Sequence, residues 1–239
     1  MKLSICTFNI RNYYLSDKNI RDSFIYKLKE FVTCNDIDVM GMQEVTKIVE
    51  KRVREEFGNY YLFGKYRYGH LPSLRGINEG IFILSKDSSS DTYSRYLIKN
   101  GFIYGSIVPR VMVSVAIKGI LFINVHLEYM SMSAKRICLE RLYSYIYSNK
   151  DRNIVLMGDF NMTYGNGYFR EFVNKMRDIG IYLVNNSDNT YVGDRGKKIL
   201  DYVFVSSGIK VIDSYICSDI CISDHNPFVV KIYVKDPVG

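Results

Sequence analysis

Residues 154–161 read Ile-Val-Leu-Met-Gly-Asp-Phe-Asn, four apolar residues followed by a glycine, a carboxylate, an aromatic residue and an amide. The apolar run predicts a buried β-strand that delivers two polar side chains at its carboxyl end. Alternation along an extended chain places Asp159 and Asn161 on the same face. Such residues are unusual in a core strand and indicate a functional site, but Asp and Asn are also common where a strand runs into a turn. This stretch alone leaves both interpretations open.

Apolar periodicity divides the rest of the chain into helices and strands. Helices are predicted at residues 18–34, 46–57, 133–147 and 168–179. Strands are predicted at residues 3–8, 36–42, 59–64, 79–86, 92–98, 106–117, 120–127, 153–158, 200–206, 211–217 and 228–234. Residues 182–192 are expected to be irregular.

Strands outnumber helices, and both occur along the whole chain. No Pro-, Gly- or Ser-rich linker interrupts the 239 residues, and no repeat of fixed period occurs. An apolar share of 47% is enough for a sizeable core. We therefore predict one α/β domain over residues 1–239, with a mixed, largely antiparallel sheet system and helices outside it.

Charge and cysteine content narrow the class of protein. The net charge of +7 favours anionic partners such as nucleic acid, phosphoesters or acidic membrane surfaces. We expect no signal peptide and no membrane anchor, because no apolar run is suited to either. The five cysteines contain no CxxC pair and no zinc-binding pattern. An intracellular, cytoplasmic protein fits these features best, and a monomer is the favoured state.

Polar residues stand at the edges of the apolar strands throughout the chain, which is how α/β domains build functional sites. One such residue is usually a cap or a turn, but nine of them, including two of the three histidines, indicate a site. The nine residues are Asn9, Glu44, Glu79, His126, Asp159, Asn161, Asp201, Asp224 and His225.

These residue types favour metal-assisted hydrolysis of a phosphoester. The carboxylates of Glu44, Asp159 and Asp224, with the amide oxygens of Asn9 and Asn161, suit Mg²⁺, and Mn²⁺ is an alternative. No cluster of cysteine and histidine offers a site for a softer metal. A histidine held by a carboxylate could deprotonate the attacking water.

Basic residues outside this set are candidates for substrate contact. Arg110 could balance charge on the phosphate. Residues 65–78 form a basic loop whose tyrosine and arginine side chains could stack on bases and follow a phosphate backbone, although a solvated loop fits equally well. Within it, His70 is expected to be solvated. Residues 130–136 could also border the cleft.

Seven short blocks surround the strand-end residues. They are residues 7–11 (TFNIR), 42–45 (MQEV), 79–86 (EGIFILSK), 124–127 (NVHL), 157–161 (MGDFN), 200–206 (LDYVFVS) and 223–227 (SDHNP). Because it contains these seven blocks in this order, the chain resembles the endonuclease/exonuclease/phosphatase superfamily of divalent-metal phosphodiesterases. Each block alone is weakly specific, but seven in order from the first strand to the last are highly specific and cover the whole chain.

The resemblance implies a four-layer α/β sandwich, in which two mixed β-sheets pack face to face with helices on the outside. It implies that Glu44 is the principal metal ligand, assisted by Asn9 and Asp224. It also implies that Asp159 and Asn161 orient the nucleophilic water and the scissile phosphate.

The remaining roles follow from the same resemblance. His225 corresponds to the general base and Asp201 to the carboxylate that orients it, which would fix the tautomer and raise the basicity of the imidazole. His126 falls where many members have a phosphate-contacting histidine. In the pancreatic-type deoxyribonuclease branch, a glutamate on the strand that begins at Glu79 pairs with that histidine and assists the leaving group. The same branch has a phosphate-binding arginine at the position of Arg110.

Two departures limit the comparison. The deoxyribonuclease branch is secreted and carries a disulfide, whereas this chain shows neither a signal peptide nor an obvious cysteine pairing. The abasic-site endonucleases have a tyrosine where this chain has His126, which weighs against that activity.

The sequence-based hypothesis is a Mg²⁺-dependent phosphodiesterase that cleaves nucleic acid, with DNA slightly favoured over RNA as the substrate. The same chemistry on a sphingomyelin-type lipid, an inositol phosphate or a poly(A) tail is the alternative, because the specificity of this superfamily lies in its loops. A catalytically inactive phosphate-binding module is a third hypothesis, and the complete set of residues from Asn9 to His225 argues against it.

Overall fold

The computed structural model describes residues 1–11, 18–69, 78–99, 101–186, 188–220 and 222–235, and His70, Arg75 and Cys221 lie outside these ranges. The helices are α1 (Lys18–Cys34), α2 (Lys47–Glu56), α3 (Met132–Tyr147) and α4 (Gly167–Asp178), with a short 3-10 helix at Gly101–Tyr104. The strands are β1 (Lys2–Asn9), β2 (Val39–Thr46), β3 (Tyr61–Tyr66), β4 (Glu79–Ser85), β5 (Asp91–Ile98), β6 (Arg110–Ile117), β7 (Ile120–His126), β8 (Asn153–Asp159), β9 (Ile181–Leu183), β10 (Tyr191–Gly193), β11 (Gly196–Lys198), β12 (Asp201–Ser206), β13 (Ile209–Ile216) and β14 (Phe228–Val234).

Twelve of these strands form two mixed sheets of six strands each. The first sheet has the order β13-β14-β1-β2-β4-β3, and the second has the order β5-β6-β7-β8-β12-β9. Each sheet contains one parallel pair at its centre, β1 with β2 and β7 with β8. A helix connects the strands of each parallel pair, because parallel neighbours need a crossover connection. Strands β10 and β11 form a separate hairpin.

Three apolar layers hold the sheets and helices together. The middle layer lies between the two sheets and contains Ile5 of β1, Val113 of β6 and Val155 of β8. One outer layer packs α1 and α2 against the first sheet and includes Leu28. The other packs α3 and α4 against the second sheet and includes Leu142. The predicted α/β sandwich, with two mixed sheets face to face and helices outside, is confirmed.

Three segments differ from the sequence-based prediction. The strand predicted at residues 36–42 lies instead at Val39–Thr46 and therefore includes Glu44. The strand predicted at residues 106–117 begins only at Arg110, after a bend at residues 107–108 and Pro109, which has no N–H to donate to a ladder. The stretch predicted to be irregular, residues 182–192, instead includes most of β9 and most of β10, the first strand of the hairpin. The hairpin strands are three residues long, and their glycines and lysines give no apolar alternation from which a strand could be predicted.

Two further observations concern the cysteines and the lengths and polarity of the helices. The four cysteines within the described ranges, Cys6, Cys34, Cys138 and Cys217, are free thiols. In the same ranges, the helices are too short or too polar to cross a lipid bilayer.

A buried hydrogen-bond network joins the two sheets. Gln43 of β2 donates through Nε2 to Asn124 Oδ1 of β7 at 2.7 Å and to Thr7 Oγ1 at 3.1 Å. Asn124 donates in return to the carbonyl groups of Met42 (3.0 Å) and Phe82 (2.8 Å). The three polar side chains are fully buried, so no water can replace a bond that is lost.

We expect Asn124→Ala to lower the free energy of unfolding by about 3 kcal/mol, because it leaves several buried polar groups without a partner at roughly 1–3 kcal/mol each. Urea unfolding followed by circular dichroism measures the change. The matched control is Asn185→Ala at an exposed position, which should change the free energy of unfolding by less than about 0.5 kcal/mol. Equal losses in the two variants would contradict a role for the network.

Candidate active site

Three polar side chains are aligned across the centre of the second sheet. His126 ends β7, Asp159 ends β8 and Asp201 begins β12. The strand register pairs His126 with Asp159, and Asp159 with Asp201. Because β8 runs parallel to β7 and antiparallel to β12, all three residues lie at the same edge of the sheet.

The first sheet contributes Asn9, the last residue of β1, and Glu44, near the end of β2. The pairing of β2 with β4 shifts between Met42 and Val45, so that Glu44 lies in a β-bulge. Its backbone φ of +61° lies in the left-handed region, which non-glycine residues seldom adopt. Bulges and such strained backbone are concentrated at functional sites, where they redirect a side chain.

Asn9 connects the two sheets at this edge. Its Nδ2 donates to Glu44 Oε1 at 3.3 Å and to Asp159 Oδ2 at 2.9 Å. Its Oδ1 accepts from the backbone N–H of Arg11 at 2.9 Å, and its carbonyl oxygen accepts from the Ser223 hydroxyl at 2.7 Å. The amide therefore presents its nitrogen to the carboxylates, and it would have to rotate to offer its oxygen to a metal ion.

The chain turns sharply where β8 ends. Asn161 has φ +52°, and its backbone N–H donates to Asp159 Oδ1 at 2.8 Å. Its side-chain amide donates to the carbonyl of Leu127 at 3.1 Å. Gly158 has φ +147°, and a Cβ at this position would lie 2.1 Å from the Val125 carbonyl oxygen. Only glycine fits there, and the turn holds Asp159 and Asn161 in fixed orientations.

His225 and Asp201 form an imidazole–carboxylate pair. His225 Nδ1 lies 2.7 Å from Asp201 Oδ2, and its Nε2 lies 3.8 Å from Asp159 Oδ2. Burial lowers the pKa of His225, but the carboxylates of Asp201, Asp159 and Asp224 outweigh burial and raise it to about 10. Thr190 Oγ1 accepts from the backbone N–H of Asp201 at 3.0 Å, which fixes the start of β12.

His126 is bonded to an arginine and not directly to Glu79. Arg67, of which 4% of the side chain is exposed, hydrogen-bonds through Nη1 to Glu79 and through Nη2 to His126 Nδ1 at 2.7 Å. A guanidinium can only donate, so Nδ1 must accept and the proton of the neutral imidazole lies on Nε2. Burial, Arg67 and Arg110 all lower the pKa of His126 well below its usual value, which agrees with a neutral ring.

Arg110 is buried beside the same histidine. Its Nε lies 3.2 Å from Glu128 Oε2, and Ser106 also donates to that carboxylate. Its Nη1 and Nη2 are buried and have no hydrogen-bond partner among the described residues. The guanidinium also lies 5.6 Å from the centre of the Tyr129 ring. Arg110 therefore keeps donor groups available next to His126.

The carboxylates of Glu44 and Asp159 are held in a poorly solvated setting. Burial and the nearby Glu79 raise the pKa of Glu44 from 4.5 to about 7. Burial and the nearby Asp201 raise the pKa of Asp159 from 3.8 to about 6, although His225 opposes the shift. Each shift shows that the ionised carboxylate lacks enough positive charge around it.

Two groups of side chains could hold a cation. Asp159, Asp201 and His225 have ligand atoms within 4.8 Å of one another. A metal ion there would have to displace the proton shared by Asp201 and His225. Glu44 is bonded only to the neutral amide of Asn9 among the described residues, so its negative charge is the less compensated. Oxygen ligands of this kind suit Mg²⁺ and Mn²⁺.

Of the residues predicted from sequence, Asn9, Glu44, His126, Asp159, Asn161, Asp201 and His225 lie together at one end of the sandwich. Asp224 lies at the rim, 3.5 Å from Arg11 Nε. Glu79 reaches His126 only through Arg67. Glu128 was not predicted as a site residue, and Arg67 was predicted only as part of the basic loop. Both residues follow the end of a strand, which is the signal that selected the other site residues.

We expect His126 to be protonated at Nε2 and unprotonated at Nδ1 near neutral pH, because Arg67 donates to Nδ1. Long-range ¹⁵N–¹H correlation spectra of histidine-labelled protein distinguish the two tautomers, and His126→Gln assigns the signals. Arg67→Met should abolish the preference, whereas the exposed Arg54→Met should leave it unchanged. A proton on Nδ1 in the unaltered protein would exclude this arrangement.

We expect Mg²⁺ to bind about a hundredfold more weakly near pH 5 than near pH 8, because Glu44 with a pKa of about 7 must lose its proton to bind the ion. Since the pKa is raised in the folded state, the metal-free fold also loses stability as the pH rises towards 7. Thermal unfolding with and without Mg²⁺ at each pH measures both effects.

Glu44→Gln should remove the stabilisation by Mg²⁺ and flatten the pH dependence of the metal-free protein. Glu55→Gln, at an exposed position on α2, is the matched control and should preserve both. Undiminished stabilisation of Glu44→Gln by Mg²⁺ would place the ion elsewhere, with the group of Asp159, Asp201 and His225 as the next candidate.

Comparison with proteins of known structure reveals close similarity in fold. An endonuclease/exonuclease/phosphatase from Bacteroides vulgatus is 20% identical with a TM-score of 0.77, and the alignment covers 98% of this chain and 100% of that chain. A mannosyl-6-phosphatase from Bacteroides thetaiotaomicron VPI-5482 is 20% identical with a TM-score of 0.75, covering 97% and 99%. D. rerio TDP2, in complex with a single-strand DNA product, is 14% identical with a TM-score of 0.70, covering 98% and 99%.

A comparison of the sequence with proteins of curated function finds no match. The Endonuclease/Exonuclease/phosphatase family, in contrast, matches residues 6–225, which include all the predicted site residues and confirm the resemblance drawn from the seven blocks. The chain therefore belongs to the Endonuclease/Exonuclease/phosphatase family of metal-dependent hydrolases that act on phosphoester bonds.

Proposed function

We propose that this chain is a single-domain, Mg²⁺-dependent phosphodiesterase that hydrolyses nucleic acid, with DNA ahead of RNA. The observation that carries the proposal is the pair of His225 and Asp201, joined at 2.7 Å, with His225 Nε2 directed towards Asp159. An imidazole held in this way is suited to take a proton from water once it is neutral. A cation bound among the neighbouring carboxylates would offset their charge and so lower the pKa of His225 from the value of about 10 in the metal-free site. The net charge of +7 favours a polyanionic substrate over a neutral one.

Glu44 is the proposed principal ligand of the metal ion, with Asp224 and a rotated Asn9 as further candidates. When bound there, Mg²⁺ would offset negative charge on the phosphate and on the leaving oxygen, and Mn²⁺ could replace it. The raised pKa of Glu44, caused first by burial, supports this position, because a dication would stabilise the ionised carboxylate. Activity should therefore depend on a divalent ion.

The proposed reaction is hydrolysis by direct attack of water. His225 Nε2 accepts a proton from the water, whose oxygen forms a bond to phosphorus in line with the leaving oxygen. Asp201 stabilises the imidazolium that results. The bond from phosphorus to the leaving oxygen breaks, and that oxygen then takes up a proton from solvent. Asp159 accepts a hydrogen bond from the attacking water, and Asn161 fixes Asp159 in place for that role.

His126 is proposed to contact the phosphate as a neutral donor. Its Nε2 lies 3.6 Å from Asp159 Oδ2, so it faces the same space as His225. The group next to Nδ1 is the guanidinium of Arg67, which favours a neutral ring. A carboxylate at the same position would instead favour an imidazolium. The direct pairing of Glu79 with His126 implied by the deoxyribonuclease branch is therefore absent from this arrangement. We infer that His126 stabilises charge on a phosphate oxygen and that it does not transfer a proton as an imidazolium.

Incubation with plasmid DNA, single-stranded DNA, RNA, sphingomyelin and mannose 6-phosphate tests the proposal, with Mg²⁺ and with EDTA. We expect DNA to be cleaved, EDTA to stop cleavage, and His225→Ala to lower kcat by about a thousandfold, because general-base catalysis typically contributes a factor of roughly 10²–10⁴. The sugar phosphate is included because a protein of similar fold is a mannosyl-6-phosphatase.

The control for this experiment is the folding of His225→Ala, checked by its thermal unfolding and circular dichroism spectrum. Turnover of lipid or sugar phosphate alone would overturn the nuclease assignment. Hydrolysis of none of the substrates would favour the inactive phosphate-binding module. Normal turnover by a folded His225→Ala protein would remove His225 from the role of general base.

A further inference from the structure

A cavity of about 350 Å³ opens beside the proposed catalytic residues. Its volume lies within the range of small-molecule sites, roughly 300–1,000 Å³. Asn161 lies on one side of it and Tyr191 on the other. Its remaining polar lining includes Tyr129 and three cationic side chains, Lys135, Arg195 and Lys198.

The cavity adjoins the residues of the proposed catalytic site. Asn161 forms part of its wall and holds Asp159 through its backbone N–H. The ring of Tyr191 meets the ring of His225 edge to face, with centroids 5.1 Å apart, and the two residues also form a backbone bridge. The cavity is therefore placed to receive a group next to a scissile phosphate that lies between His225 and Asn161, the position that the proposed reaction requires.

The charged residues of the cavity wall are all cationic. Lys135 lies in the first turn of α3 with 9% of its surface exposed, and its ammonium makes no hydrogen bond or ion pair with the described residues. Burial and the nearby Arg195 lower its pKa, although Glu128 opposes the shift. Arg195 lies over the Tyr191 ring at 5.4 Å, on the same side of the site. An ammonium at the end of a largely buried side chain, without a bonded anion and near a second cation, would be stabilised by an anion bound in the cavity.

Two other concavities lie on helix surfaces, one of about 420 Å³ along α2 and one of about 300 Å³ between α3 and α4. The charged side chains that line each of them are mixed in sign. Neither favours one class of ligand by charge. The cavity beside Asn161 differs from both in its uniform charge and in its contact with the catalytic residues.

We propose that this cavity binds a second, non-scissile phosphate of the substrate, the phosphodiester next to the cleaved one in a nucleic-acid strand. This assignment rests on the proposed function and names the part of the substrate that the chain selects. Lys135 and Arg195 bind the phosphate oxygens, and Lys198 adds to the positive field. Tyr129, which is 44% exposed, offers a ring face on which the adjoining base can stack.

The same charges discriminate among the alternative substrates. The group attached to the scissile phosphate of a sphingomyelin-type lipid is a quaternary ammonium, which three cationic side chains would repel. A phosphorylated inositol carries the same chemistry as a nucleotide and would be attracted equally by Lys135 and Arg195. Only the stacking surface of Tyr129 separates these two sources, so the test must include both.

Isothermal titration calorimetry of the full chain with Mg²⁺ present tests the proposal, with adenosine 3′,5′-bisphosphate compared against adenosine 5′-monophosphate and 3′-monophosphate. We expect the bisphosphate to bind at least about tenfold more tightly than either monophosphate. Lys135→Met should lose this preference. Lys150→Met, at an exposed position after α3, is the matched control and should keep it.

Arg195→Gln is a second variant, at an exposed position where folding is not at risk, and it should lower the preference in the same direction. Equal affinity for the mono- and bisphosphates would overturn the proposal, and so would an undiminished preference in a folded Lys135→Met protein. Tighter binding of inositol 1,4-bisphosphate than of the adenosine bisphosphate would overturn the assignment to nucleic acid.

The calorimetric result is independent of turnover. If DNA is not cleaved but the bisphosphate preference depends on Lys135, the proposed reaction fails and the phosphate subsite stands. If DNA is cleaved and no preference exists, the reaction stands and the subsite fails.

Discussion

The site depends on a single amide that joins the two sheets. Asn9, at the end of β1, donates from one nitrogen to Glu44 in its own sheet and to Asp159 in the other. The contact is possible only if the ends of β1, β2 and β8 meet face to face in a fixed register. A shift of β1 by one residue would turn Asn9 away from the other sheet, because side chains alternate along a strand. The buried hydrogen bond between Gln43 and Asn124 also holds the two sheets in this register, deeper between them than Asn9.

Electrostatic balance at this end of the sandwich points to the position of the cation. Most of the buried carboxylates have a cationic or titratable partner: Asp201 has His225, Glu79 has Arg67, and Glu128 has Arg110. Asp159 faces the imidazoles of His126 and His225. Within the described ranges, Glu44 is bonded only to a neutral amide. The divalent ion proposed at Glu44 would add to the positive charge that Arg67 already provides there, and presenting Glu44 to that ion would account for the strained bulge.

The sequence was most informative where a polar residue ends an apolar strand. That local signal selected Glu44, Asp159, Asn161 and His225, which the fold brings together at one end of the sandwich. Apolar periodicity predicted the helices and most of the strands. It could not predict that Arg67 separates Glu79 from His126, because their contact depends on packing between residues 59 positions apart. Arg67 was interpreted as part of a basic loop, and its burial became evident only from the fold. The orientation of the Asn9 amide is a similar case, since it depends on hydrogen bonds made by both faces of the group.

The same reasoning explains why the reaction was easier to predict than the substrate. The proposed reacting groups come from strand ends, where the sequence signal is strong. Part of the cavity wall comes from the β10–β11 hairpin, where the signal is weak, and part from Lys135, in the segment 130–136, a candidate border of the cleft that was given no role. Tyr191 belongs to that hairpin and also contacts His225. The segment proposed to bind the neighbouring phosphate therefore also contacts the proposed base, so we expect a change in the hairpin to alter both affinity and the position of the imidazole. On this proposal, substrate choice and catalysis are coupled through the contact between Tyr191 and His225.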